Sequence, residues 1–128
     1  MGKFIIKTVP TGVKFDLRAV NGETIATSEV YKTEAACRKG IESVIRSAPK
    51  AKLEDWTAQQ MGTCTNPKFE LYQDRSGAFR FRLRARNGAV IAVSEGYRSK
   101  NACLDGIESV KNNVIFEENQ ENNEILCK

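Results

Sequence analysis

Residues 15–48 read FDLRAVNGETIATSEVYKTEAACRKGIESVIRSA, and residues 81–114 read FRLRARNGAVIAVSEGYRSKNACLDGIESVKNNV. Aligned by the one offset that carries Phe15 to Phe81, roughly half of the positions are identical, far above chance for unrelated segments. The chain is an internal duplication. A unit of about 50 residues buries too little surface to stand comfortably alone, so the two copies are expected to share one core.

Within each copy the pattern changes period. Val13, Phe15, Leu17 and Ala19 alternate with Lys14, Asp16, Arg18 and Val20, which is a half-buried strand. Asn21-Gly22 then signals a tight hairpin, as Asn87-Gly88 does in the second copy. Two loop geometries compete: a two-residue loop pairs Leu17 with Ala26, and a three-residue loop with Gly22 in a bulge pairs Leu17 with Ile25. Ile recurs at 25 and 91, which favours the second. Thr33 and Ser99 are N-cap residues. After Thr33, the apolar residues Ala36, Cys37, Gly40, Ile41 and Val44 trace one stripe of a helix over 34–47 that stops before Pro49.

Working outward, strands are expected at 3–8, 13–20, 23–28 and 51–56, then at 68–73, 78–86, 89–94 and 114–118, with a second helix at 100–112. Residues 1–60 form repeat one, 61–67 the linker, 68–118 repeat two and 119–128 a loose polar tail, and the two repeats make one folded domain. The class is α+β: a duplicated three-strand–helix–strand unit forming one antiparallel sheet with both helices on one face.

The formal net charge of +4 is unevenly spread. Residues 1–60 hold ten basic and seven acidic residues, residues 66–114 nine and five, and the segment from Ile115 one and four. That balance permits nucleic-acid binding without demanding it. No apolar run approaches the roughly 20 residues that span a bilayer, and MGKFIIKTV continues into no signal-peptide core, so a cytoplasmic protein without a membrane partner is expected. The chain has no histidine, and its cysteines (Cys37, Cys64, Cys103 and Cys127) form no CxxC pair. Neither a disulfide framework nor a metal or cofactor site is expected.

The motif NG-x-x-I-A-x-S-E-x-Y, followed by a helix bearing G-I-E-S-V, resembles the YegP-like family of small bacterial proteins. Asn21, Gly22, Ile25, Ala26, Ser28, Glu29, Tyr31 and 40–44 carry the likeness, and so do Asn87, Gly88, Ile91, Ala92, Ser94, Glu95, Tyr97 and 106–110. The likeness covers nearly all of residues 3–114. It implies that two units, in tandem or from two chains, build one sheet and exchange their last strands. Residues 51–56 would then join the second repeat's part of the sheet and 114–118 the first's, a monomer acting as a pseudo-dimer. The family's biochemical function is not established, so the likeness adds no mechanism. Cysteine at 37 and 103 departs from the small residues usual there.

Four features bear on chemistry. Ser28-Glu29-x-Tyr31 and Ser94-Glu95-x-Tyr97 offer a hydroxyl and a carboxylate, but with no histidine to orient them they read as strand-to-helix connectors. Cys37 and Cys103 read as core, Cys64 and Cys127 as the more reactive thiols. Gly40 and Gly106, inside helices, read as points where helix and sheet approach closely. Arg80, Arg82, Arg84 and Arg86 alternate with apolar residues, which stacks four guanidinium groups on the sheet face away from the helices, with Tyr72, Lys14 and Arg18 on the same face. The plainer reading pairs these arginines with cross-strand acids such as Glu70 and Glu95. The functional reading is a non-enzymatic interaction module whose open face meets an acidic partner, and its alternative is a weak nucleic-acid binder using the same arginines.

Overall fold

A computed structural model of the chain describes residues 2–58 and 63–114 and the backbone of 124–127. Repeat one supplies β1 (Lys3–Val9), β2 (Gly12–Arg18), β3 (Thr24–Thr27), α1 (Glu34–Ser47) and β4 (Lys52–Asp55). After the linker come β5 (Lys68–Gln73), β6 (Phe79–Arg84), β7 (Val90–Val93), α2 (Lys100–Asn113) and β8 (Glu124–Cys127). All of these strands join one sheet in the order β4-β5-β6-β7-β3-β2-β1-β8. Each repeat's final strand therefore lies at the far edge of the other repeat, beside β5 or β1.

The sheet is mixed where an antiparallel one was expected. The six inner strands pair antiparallel, but β4 runs parallel to β5 and β8 parallel to β1. A strand delivered by a hairpin must reverse direction, whereas one delivered by a long crossover lies parallel to its neighbour. The last strand also lies elsewhere than expected. Val114 belongs to the end of α2, where its N–H reaches the Val110 carbonyl, and its side chain is wholly buried. The rest of the expected strand, 115–118, lies outside the described residues. The strand that pairs with β1 is 124–127, inside what reads as a loose tail. Ile125-Leu126 is the one apolar pair in that stretch, and its neighbours on β1 are Phe4 and Ile5.

The hairpins combine both of the loop geometries weighed above. Ala19 N–H donates to Glu23 and Gly22 N–H to Ala19, a three-residue loop closed by Gly22 at φ +88°. Asn21 Oδ1 caps the turn by accepting from Glu23 N–H. The register then slips: Arg18 faces Thr24 but Leu17 faces Ala26. Ile25 is the bulged residue, so Leu17 does not pair with it, and both Ile25 and Ala26 are buried. The second hairpin repeats this through Gly88, Asn87 and the Leu83–Ala92 pair.

The core lies between the sheet and the two helices. Phe4, Phe15, Phe69 and Phe81 are fully buried on the helix-facing side, with edge-on ring contacts Phe4–Phe15 and Phe69–Phe81. Helix α1 packs on β1 and β2 and reaches β6 and β7, while α2 packs on β6 and reaches β3. The helices thus bridge the seam between repeats, where the sheet itself is joined by the single Thr27–Val93 pair. Cys37 and Cys103 are fully buried, and burial together with the charge of Asp55 pushes the Cys103 thiol up to about 11. At Gly40 and Gly106 the close neighbour is a tyrosine more than the sheet. A Cβ on Gly40 would strike the Tyr31 hydroxyl, and one on Gly106 the Tyr97 hydroxyl. Each tyrosine is stacked on a core ring, Phe15 or Phe81, and is wedged against its helix.

Candidate interaction face

Among the described residues no helix covers the other side of the sheet, and period two decides which side chains occupy it. In the second half these are Glu54 and Trp56 from the β4 edge, Glu70 and Tyr72 from β5, and Arg80, Arg82 and Arg84 from β6. Glu54 and Glu70 stand opposite each other across the parallel pair, and Glu70 opposite Arg82 across the antiparallel one.

Two buried carboxylates organise the cluster. Glu70 is 2% exposed and accepts from Arg82 Nε at 2.6 Å and Arg84 Nε at 2.7 Å, with Lys68 Nζ at 3.5 Å. Burial pushes its pKa up, but the Arg82 and Arg84 hydrogen bonds outweigh this and the carboxyl sits below its ordinary range. Glu54 accepts from the Cys64 backbone N–H at 2.8 Å, from Lys68 at 2.9 Å and from the Trp56 indole N–H at 2.6 Å. Those three donors, the backbone one first, hold it at about 2. Further along β6, Arg80 donates to Asp74 at 2.7 Å and to the Ser94 carbonyl. Asp74 also takes the Ser76 hydroxyl, and its carboxyl is lowered by Ser76 first and Arg80 second.

The arginines are therefore cross-strand partners of acids, with Glu70 the shared partner. Glu95 makes no ion pair with them and only adds charge near Arg80. Arg86 does not belong to the row. The strand ends at Arg84, and Arg86 sits in the following turn on the helix-covered side, beside α1. What the sequence reading did not bring to this face is Trp56. Arg82 lies 4.7 Å from the Trp56 ring and 4.8 Å from the Tyr72 ring, a guanidinium set against two neighbouring aromatics whose centroids are 6.5 Å apart. Trp56 remains 42% exposed. The parity that puts Trp56 beside Tyr72 is readable once 51–56 is placed parallel to β5, because Glu54 and Trp56 then fall in step with Glu70 and Tyr72.

The first half of the face is built differently. Asp16 is buried and salt-bridged to Lys7, with Lys14 at 3.8 Å and the Thr27 hydroxyl donating at 2.8 Å. Burial works to raise its pKa, and the Lys7 and Thr27 hydrogen bonds bring it below normal. Arg18 is half-buried and its Nε makes no hydrogen bond. Where Glu70 faces Arg82, the matching pair here is Ile5 and Asp16. Lys14 and Arg18 thus share the face with Arg82 but join none of its ion pairs.

The repeated Ser-Glu-x-Tyr residues close strands. Ser28 Oγ accepts from Phe15 N–H at 2.9 Å and donates to the Glu29 carbonyl at 2.7 Å, and Ser94 does the same with Phe81 and Glu95. Tyr31 and Tyr97 add backbone bridges to Val13 and Phe79. Burial raises both phenols above their ordinary range. Each serine hydroxyl donates to a carbonyl and faces no base. Cys64 is partly exposed and its Sγ lies 3.5 Å from the Leu53 carbonyl, while the side chain of Cys127 lies outside the described residues. Among the described residues no cluster of His, Cys, Asp and Glu is placed to hold a metal ion, and no helix is long and apolar enough to cross a membrane.

These features define a class: a duplicated α+β protein with strand exchange and an uncovered, ion-paired sheet face. The chain belongs to the family described as "Domain of unknown function (DUF1508)", which matches it over residues 12–55 and 74–121. It is 34% identical to the UPF0339 protein YegP of Yersinia pestis over 116 residues, 90% of each chain. It is also 63% identical over 47 residues to a UPF0339 protein of Methanosarcina acetivorans, a match covering 37% of this chain and 81% of a relative about one repeat long. The solution structure of YegP from E. coli, a protein of unknown function, superposes with a TM-score of 0.75 at 28% identity, covering 99% of this chain and 92% of that one.

Proposed function

We propose that this chain is a non-catalytic, monomeric interaction protein of the cytoplasm that engages an acidic partner through Trp56, Arg82 and Tyr72. The observation that carries this reading is the position of Arg82. Its Nε–H is committed to Glu70, its guanidinium carbon lies against two rings, and its terminal nitrogens donate to no described residue. A fork fixed in this way presents two parallel N–H donors to an incoming carboxylate at little entropic cost. Around it, Lys68, Arg80 and Arg84 are answered by Glu54, Glu70 and Asp74, with Glu95 adding negative charge near Arg80, so the cluster is close to balanced. The pairing of Ser28 and Ser94 with strand backbone supports a non-catalytic role.

A polyglutamate peptide titrated into the protein tests this through Trp56 fluorescence. The expected result is a saturable change that Arg82→Lys weakens, because lysine keeps the charge but loses the fork. Absence of a saturable change overturns the reading. Binding of single-stranded RNA in preference to the peptide, with a steep dependence on salt, transfers the face to the nucleic-acid alternative.

A further inference from the structure

On the helix-covered side, α1 and the turn between β6 and β7 enclose a cleft of about 600 Å³. Its charged lining is Lys39, Arg46, Lys50 and Arg86 with one acid, Glu42. All four cations are exposed, and none makes an ion pair or hydrogen bond with a described residue. This sets them apart from Lys68, Arg80, Arg82 and Arg84, whose charge is answered by carboxylates within the fold.

The duplication supplies an internal control. The same offset that carries Phe15 to Phe81 puts Asp105 where Lys39 stands, Asn112 where Arg46 stands and Val20 where Arg86 stands. Glu42 is matched by Glu108. Three of the five uncharged lining residues are kept, Ser43 by Ser109, Ala85 by Ala19 and Asn87 by Asn21, while Ser47 becomes Asn113 and Pro67 is not repeated. One backbone plan thus carries Lys39, Arg46 and Arg86 in one copy and Asp105, Asn112 and Val20 at the matching positions of the other. The positive charge is therefore no requirement of the fold. Basic residues near a helix C-terminus complement its dipole, which accounts for Arg46 and Lys50. That accounts neither for Lys39, in the middle of α1, nor for Arg86, on a different element.

We propose that this cleft is a binding site for a compact anion bearing a diphosphate group. Its volume is that of a small-molecule site. Arg46 and Arg86 come from two elements and bring planar forks suited to phosphate oxygens, and Lys39 and Lys50 add point charges. Ser43 and Asn87 offer neutral hydrogen-bonding groups, and Pro67 and Ala85 form an apolar wall. With four cations against one acid, the cleft suits a ligand carrying more than one negative charge. This site is separate from the Arg82 face and stands or falls independently of it.

The test is a titration of the full chain with inorganic pyrophosphate at physiological ionic strength, followed by calorimetry and by amide NMR shifts. The expected result is saturable binding with shifts confined to residues 39–50 and 85–88. R46Q/R86Q should weaken it at least about tenfold, as the loss of two charge-assisted contacts requires. R98Q removes an exposed arginine elsewhere and should leave affinity unchanged. No saturable binding at millimolar pyrophosphate overturns the proposal. So does equal weakening by R98Q, which would mean diffuse charge alone, and so does citrate binding as tightly as pyrophosphate, which would remove the phosphate assignment.

Discussion

Glu70→Gln is the substitution that bears hardest on the open face. Glutamine preserves the size of the side chain but removes the charge shared by Arg82, Arg84 and Lys68; with its carbonyl kept toward the two arginines, its amide donor replaces the oxygen that faces Lys68. Breaking a fully buried ion pair from one side costs about 3–5 kcal/mol. Here Glu70 is buried, but the Arg82 and Arg84 side chains keep 23% and 29% of their exposure, so water takes up part of the freed charge. The expected loss is about 2 kcal/mol at neutral pH. The sign of its pH dependence follows from the lowered carboxyl of Glu70. A carboxylate held below its unfolded value stabilises the fold fully above that value, 4.5 for glutamate, and loses this as pH falls through the lower folded value. The gap between wild type and variant should therefore be complete at pH 7 and close in acid. Urea denaturation followed by Trp56 fluorescence and far-UV circular dichroism measures it, Trp56 being in contact with Arg82. Arg82→Gln with Arg84→Gln should destabilise by a similar amount, since Glu70 is then left buried with Lys68 alone. A Glu70→Gln loss below about 0.5 kcal/mol, the range of ordinary surface changes, would refute the view that this acid holds the arginine row.

Other outcomes follow from neighbouring features. Gly40→Leu or Gly106→Leu should destabilise by about 1–3 kcal/mol despite better helix propensity, because the new side chain meets Tyr31 or Tyr97; unchanged stability in denaturant titration would contradict the wedge. Glu54→Gln should flatten the pH dependence of stability between about 4.5 and about 2, since the carboxylate stabilises above its unfolded value and that contribution decays toward its folded one. A thermal melt series across that range reads it, and a slope equal to wild type counts against the three-donor cradle. The two repeats should unfold together, with coincident fluorescence and dichroism transitions, because each contributes a strand to the other's edge. Two separated transitions would contradict the shared sheet.

The repeat made most of this architecture readable. Hydrophobic alternation located the strands, the Asn-Gly pairs located both hairpins, and the stripe through Cys37, Ile41 and Val44 located α1. Two kinds of error remained, and each has a physical source. Ile25 and Ala26 are both apolar and small enough to be buried side by side, so periodicity alone does not say which of them faces Leu17; a bulge accommodates both. Val114, Ile115 and Phe116 look more like a strand than EILC does, yet Val114 is consumed as the buried end of α2. Parallel pairing at both edges followed from the crossovers and is absent from local pattern. On the open face, the arginines and Glu70 were visible as a cross-strand set. Glu54 and Trp56 were not, because their place depends on the register of an exchanged strand, and register across a crossover leaves no trace in sequence spacing.

The comparison of the two halves separates what the fold needs from what it permits. Both copies keep the residues that close the chain on itself: Asn-Gly at the turn, Ser at the strand end, Tyr wedged on the helix glycine. They part company on both surfaces. On the open face, Ile5 beside Asp16 in one half becomes Glu70 beside Arg82 in the other. On the helix side, Lys39, Arg46 and Arg86 become Asp105, Asn112 and Val20. A single-repeat chain that pairs with a copy of itself must present each surface twice. Fusing two repeats into one chain lifts that constraint, because each half can vary without changing the other. The Arg82 cluster and the α1 cleft both differ in their residues between the halves, and those are places where a tandem protein can carry what a symmetric pair cannot.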